Sequence, residues 1–367
     1  FTEPSPVHDL KAEYVGVTSV KLKWSVSDAA STSYTYRIEV VNATNGASLW
    51  NRTSSLTEVE IAELNPGTLY NFTVFAAVND SQTEGEGVSI PVYTKPSPVH
   101  DLKAEYVGVT SVNLKWSVSD AASTSYTYRI EVVNATNGAS LWNRTSSLTE
   151  VEIAELNPGT LYNFTVFAAV NDSQTEGEGV SILVYTKPSP VHDLKAEYVG
   201  VTSVKLKWSV SDAASTSYTY RIEVVNATNG ASLWNRTSSL TEVEIAELNP
   251  GTLYNFTVFA AVNDSQTEGE GVSILVYTKP SPVHDLKAEY VGVTSVKLKW
   301  SVSDAASTSY MYRIEVVNGT SLWNRTSSLT EVEIAELIPG TLYNFTVFAA
   351  VNDSRMEGEG VSIPVYT

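Results

Sequence analysis

Sixteen asparagines stand two residues before a serine or threonine with no proline between them. They are Asn42, Asn51, Asn71, Asn79, Asn134, Asn143, Asn163, Asn171, Asn226, Asn235, Asn255, Asn263, Asn318, Asn324, Asn344 and Asn352. Each such triplet is an acceptor for N-glycosylation, the one covalent chemistry these residue types offer at this spacing. One triplet is weak evidence. Four in every quarter of the chain point to the secretory pathway, with N-linked glycans as covalent partners.

The other chemistries fail on spacing or on residue type. The only histidines, His8, His100, His192 and His284, recur 92 residues apart and cannot converge on one metal or form a relay. There is no cysteine, so disulfides, thiolate metal sites and cysteine nucleophiles are excluded. The run Asn79 to Glu86 is rich in oxygen ligands, but its spacing fits no EF-hand and it reads as an acidic hairpin tip. Glu58 and Glu60 point the same way from an alternating strand, with no pocket between them. There is no glycine-rich phosphate loop and no Arg-Gly-Asp tripeptide. The expectation is no catalytic residue, no metal and no cofactor.

Net charge is −18 and evenly spread, with no block of Lys or Arg. Nucleic acid, heparin and anionic membrane each need a concentrated positive footprint and are not expected partners. No run approaches the ~20 apolar residues that span a bilayer. The opening Phe1-Thr2-Glu3-Pro4 is not a signal peptide, so the chain reads as a processed product or, in preference, a fragment of a longer protein.

The elements that must position these residues repeat. Pro6-Val7-His8-Asp9-Leu10-Lys11-Ala12-Glu13-Tyr14 returns at Pro98, Pro190 and Pro282. A 92-residue unit exceeds solenoid repeats and is long enough to bury its own core. The fourth unit is three residues shorter between Asn318 and Trp323 than the first is between Asn42 and Trp50. Within a unit the period is two. Ser19-Val20-Lys21-Leu22-Lys23-Trp24, Tyr36 to Val40, Val59 to Ile61 and Tyr70 to Ala76 alternate as half-buried strands do. Leu10 and Ala12 supply a first strand, and Val88 to Tyr93 the last. Turn signals separate them at Asn45-Gly46, Asn65-Pro66-Gly67 and Glu84-Gly85-Glu86-Gly87.

A leucine, a Pro-Gly turn and a tyrosine opening a strand, Leu64-Asn65-Pro66-Gly67-Thr68-Leu69-Tyr70, describe a tyrosine corner. With Trp24 and Tyr36-Arg37-Ile38, this resembles the fibronectin type III family, four times over the whole chain. The resemblance implies an all-β fold of four tandem immunoglobulin-like seven-stranded β-sandwiches. The domains would span 4–94, 95–186, 187–278 and 279–367. Trp24, Tyr36, Ile38, Leu64, Tyr70, Phe72 and Val74 are the expected core, with Trp116, Tyr162, Trp208, Tyr254, Trp300 and Tyr343 as copies. Paired prolines at Thr94-Lys95-Pro96-Ser97-Pro98 imply brief, semi-stiff joints and a beads-on-a-string rod of roughly 120 to 140 Å.

By the same likeness all sequons fall on one sheet and its edge. The opposite sheet presents Lys11, Glu13, Lys21, Lys23, Glu58 and Glu60, either as an ordinary solvated face or as a sugar-free face open to protein. Trp50 on an edge strand and the outward Phe75 read as packed aromatics before they read as partner anchors. Ser25-Val26-Ser27-Asp28, Ser33 to Ile38 and Pro66 to Val74 look like the ectodomains of receptor-type tyrosine phosphatases with one cytoplasmic catalytic domain. That likeness implies a non-catalytic spacer on the extracellular side of the plasma membrane, binding extracellular protein ligands. A tenascin-like matrix protein is the alternative. An accessory module of a secreted glycosidase is a third reading, against which the sequon density speaks.

Overall fold

Alternation decides the strands. In the first repeat, Val20, Leu22 and Trp24 are buried and Lys21 and Lys23 are not; Tyr34, Tyr36, Ile38 and Val40 are buried against Thr35, Arg37 and Glu39. A pleated strand sends successive side chains to opposite faces, so each segment buries one side and wets the other. The computed structural model describes residues 3–29, 33–78, 83–170, 175–262, 267–351 and 356–367. The first repeat has seven strands: β1 (His8–Val15), β2 (Val20–Ser25), β3 (Tyr34–Asn42), β4 (Ser48–Ser54), β5 (Glu58–Ile61), β6 (Leu69–Val78) and β7 (Val88–Tyr93). They form a three-stranded sheet, β1-β2-β5, and a four-stranded sheet, β4-β3-β6-β7, antiparallel throughout. The other three repeats show the same two sheets. Contacts divide the chain into two units of two repeats each, Phe1–Thr186 and Lys187–Thr367.

Between the two sheets lie Trp24, Tyr36, Ile38, Leu64, Tyr70, Phe72 and Val74, all buried. The Trp24 and Tyr36 rings meet edge to face at 5.3 Å, and the other three repeats repeat this contact. The tyrosine corner is formed: the Asn65 N–H donates to Tyr70 Oη at 2.9 Å, as Asn157, Asn249 and Ile338 do to Tyr162, Tyr254 and Tyr343. Glu63 turns into that corner at φ 61° and Asp9 bulges β1 at φ 53°, left-handed values that favour glycine. The Trp24 Nε1 is buried with no acceptor among the described residues, and so are its three copies.

The joint between the first two repeats is ordered by the backbone. Lys95 donates its N–H to the Gly16 carbonyl at 2.9 Å and accepts from the Gly67 N–H at 3.2 Å. One residue before it, Thr94 is fully buried, its hydroxyl donating to the Asn65 carbonyl at 2.7 Å. On the far side, Asp120 Oδ2 takes the Ser97 N–H at 2.8 Å and the Tyr126 hydroxyl at 2.7 Å. Tyr126 lies directly over Gly67, where any β-carbon would collide with its Oη. The second unit repeats the arrangement with Lys279, Gly200, Gly251, Asp304, Ser281 and Tyr310.

Candidate functional site

The outward face of the four-stranded sheet collects the residues with chemistry to offer. Register places Asn51, Glu39, Thr73 and Ser89 in one row across it, and Val41, Asn71 and Pro91 in the next. Asn51 is exposed and Asn71 half-buried, both on the solvent side of their strands. Their counterparts Asn143, Asn235 and Asn324 are exposed; Asn163 and Asn255 are half-buried, and Asn344 is exposed. Asn79, Asn171, Asn263 and Asn352, with the start of each acidic hairpin tip, lie outside the described residues.

Asn42 differs from these. It is in phase with Tyr36, Ile38 and Val40, so it points inward and is 8% exposed. Its Oδ1 accepts from the Thr44 N–H at 2.9 Å and more weakly from Asn45, an Asx-turn at the base of the β3–β4 loop. Asn134 and Asn226 do the same.

On the outer face, Arg37 is held on two sides. Its guanidinium grips both Glu84 oxygens at 2.7 and 2.9 Å and lies 3.8 Å from the centre of the Phe75 ring. These bonds from Arg37 hold the Glu84 carboxyl below the usual carboxylate range. Phe75 thus serves as a platform for an arginine. Trp50 packs onto the edge of the core under Arg52, 4.9 Å from its ring. Each aromatic has its own arginine.

The Lys/Glu face of the other sheet is an ion-pair ladder. Lys21 reaches Glu13 at 3.6 Å and Glu58 at 3.5 Å, and Lys23 reaches Glu13 at 3.5 Å. Lys23, and then Lys21, hold the Glu13 carboxyl low. In the second repeat Asn113 replaces Lys21; Lys115 still meets Glu105, and the Asn113 Oδ1 lies buried without a partner among the described residues.

Among the described residues no three His, Cys, Asp or Glu gather as metal ligands, and no helix is long and apolar enough to cross a membrane. His8 pairs with its neighbour Asp9, Nδ1 to Oδ2 at 2.7 Å on the surface. At each described joint the partner tyrosine, Tyr126 or Tyr310, has its phenol pushed up, first by burial and then by its aspartate. The arrangement supports sugar attachment on one face and domain spacing at the joints.

Two stacked sheets, a tyrosine corner and an inter-sheet tryptophan in every repeat define the class, and the chain belongs to the fibronectin type III domain family. That family matches at residues 5–93, 97–182, 189–274 and 281–363. Over its whole length the chain is 62% identical to receptor-type tyrosine-protein phosphatase eta of Gallus gallus. It is 32% identical to the Homo sapiens phosphatase of that name over 96% of the chain, and 21% identical to Mus musculus tenascin over 88%. It spans only 25% of each phosphatase and 15% of the tenascin.

Proposed function

We propose that these repeats are part of the extracellular region of a receptor-type tyrosine phosphatase, serving there as spacer and protein-binding surface. The chain consists of fibronectin type III domains alone, and the phosphatase domain of such a parent lies outside them. The observation that carries this reading is the 62% identity running through all four repeats, against 21% for tenascin. The sequon density supports an extracellular setting. Joints braced by Lys95 and Asp120 support a spacer, because they reduce the freedom between neighbours. The ion-paired Lys/Glu face carries no sequon and is the surface left open to protein ligands.

Sequencing the transcript beyond Thr367 tests this. The expected result is an apolar span of about 20 residues, followed by a catalytic domain with a cysteine nucleophile in a phosphate-binding loop. Further repeats ending in a secreted domain without a membrane span would overturn it in favour of a matrix protein.

A further inference from the structure

The four repeats do not offer their first sequon in the same way. In the first three, the asparagine closes the β3 pairing and anchors the loop that follows. Asn42 pairs with Tyr70 across the sheet, its N–H bonds the Ala47 carbonyl, its carbonyl accepts from Gly46, and Ala43 is tied to the Leu69 carbonyl at 2.9 Å. With its Oδ1 committed to the turn and the residue 8% exposed, the carboxamide is part of the sheet's end.

The fourth repeat lacks three loop residues, and the arrangement changes. The strand matching β3, Tyr310–Asn318, runs into Ser321–Ser327 through a tight Gly319-Thr320 turn with Gly319 at φ 53°. Asn318 now pairs with Ser321, and pairing with the central strand stops one residue earlier, at Val317. Asn318 is half-buried rather than buried, and no backbone N–H among the described residues donates to its Oδ1.

We propose that Asn318 carries an N-linked glycan in the secreted protein while Asn42, Asn134 and Asn226 do not. The reaction joins the asparagine Nδ2 to the anomeric carbon of an oligosaccharide. The lipid diphosphate that carried the sugar leaves with the bonding electrons, and one amide proton is lost. A sugar on Asn42 must be housed where the residue is nine-tenths buried, so a repeat so modified cannot close its turn as drawn. A sugar on Asn318 leaves from the open tip of a hairpin. The three-residue deletion therefore acts as the occupancy switch.

This rests on the secretory reading, and one peptide separates the two. Cleavage after arginine releases Ile38 to Arg52, holding both Asn42 and Asn51, and Ile314 to Arg325, holding both Asn318 and Asn324. The four-repeat chain is secreted from mammalian cells, deglycosylated by amidase in heavy-oxygen water and digested. One label at Asn51 is expected in the first peptide and its two copies, and two labels in the last. No label anywhere removes the secretory reading and the proposal with it. Label at Asn51 together with Asn42, or at Asn324 without Asn318, overturns the proposal alone. Shortening the first loop to the Asn-Gly-Thr-Ser form makes its peptide identical to that of the fourth repeat; the pooled peptide should stay doubly labelled, and a singly labelled half also overturns the proposal.

Discussion

The indole of Trp24 meets Tyr36 edge-on while its own N–H finds no acceptor among the described residues, an arrangement present four times. The ring is therefore held by packing alone, and an unpaired buried donor costs about 1–3 kcal/mol. Trp24→Ala should cost about 3–5 kcal/mol, a large part of a domain's usual stability. Trp24→Phe removes the dry N–H with most of the ring kept, and should cost about 1 kcal/mol or less. Urea titration of the four-repeat chain should show an early transition for the alanine variant only. Equal losses would mean that the indole has a partner such as a trapped water. Tyr70→Phe should cost about 1–3 kcal/mol in the same titration, since the Asn65 N–H loses its acceptor. Trp24, Tyr36 and Tyr70 were all legible in the sequence, because period two and a Pro-Gly turn are local signals. The inward side of Asn42 is carried only by its phase with Tyr36 and Ile38. A sequon specifies the residue's chemistry and says nothing of its parity.

Within the four-stranded sheet, the outer face depends on a pairing no local pattern reveals, since Arg37 and Glu84 are 47 residues apart. Both meet because β3 lies beside β6 and Glu84 is bridged to Ala77 on that strand. Glu84 titrates low in the folded state, so its contribution is complete above the ordinary glutamate value of about 4.3 and is lost as pH falls through the depressed one. Arg37→Lys keeps the charge but not the two-pronged grip, and should cost about 1 kcal/mol near neutrality. Calorimetry across pH 2 to 6, in steps of about 0.5, should find that gap narrowing toward acid. A constant gap would assign the cost to the Phe75 contact instead. The sheet's last strand carries a second difference. Pro91 and Pro364 stand where Leu183 and Leu275 stand in the middle repeats, beside Asn71, Asn344, Asn163 and Asn255. A proline in that register shows that the N–H there is not needed by the ladder. Leu183→Pro should therefore change stability by less than about 0.5 kcal/mol while blunting the open edge. A larger loss in thermal unfolding would mean that the leucine packs as well as pairs.

At the level of neighbouring repeats, Gly67 gives a controlled comparison. Gly67 and Gly340 occupy the same turn with positive φ, so alanine strains both. At Gly67, as at Gly251, the added carbon strikes a tyrosine of the following repeat; in the four-repeat chain nothing lies within 4 Å of Gly340. Gly67→Ala should therefore speed amide exchange at Lys95 and Ser97, an effect absent from Gly340→Ala beyond its own turn. Equal effects from the two would mean that Tyr126 does not brace the joint. The sequence marks Pro66-Gly67 as a turn, while Tyr126, two residues ahead of the copy of Tyr36, opens its strand only in the structure. Their meeting across 59 positions belongs to the packing of one domain on another, which neither motif encodes by itself.

Lys95 is bonded on both sides to loops of the repeat it leaves, through its N–H to Gly16 and its carbonyl to Gly67. A pull transmitted along the chain reaches these two bonds before it reaches the strand ladder behind them. Each is worth about 1 kcal/mol, against about 5–15 kcal/mol for a whole domain. Under tension the joint gives way first, by a residue or two of slack, and every sandwich stays intact. The joint is thus a soft stretch in series with a stiff one.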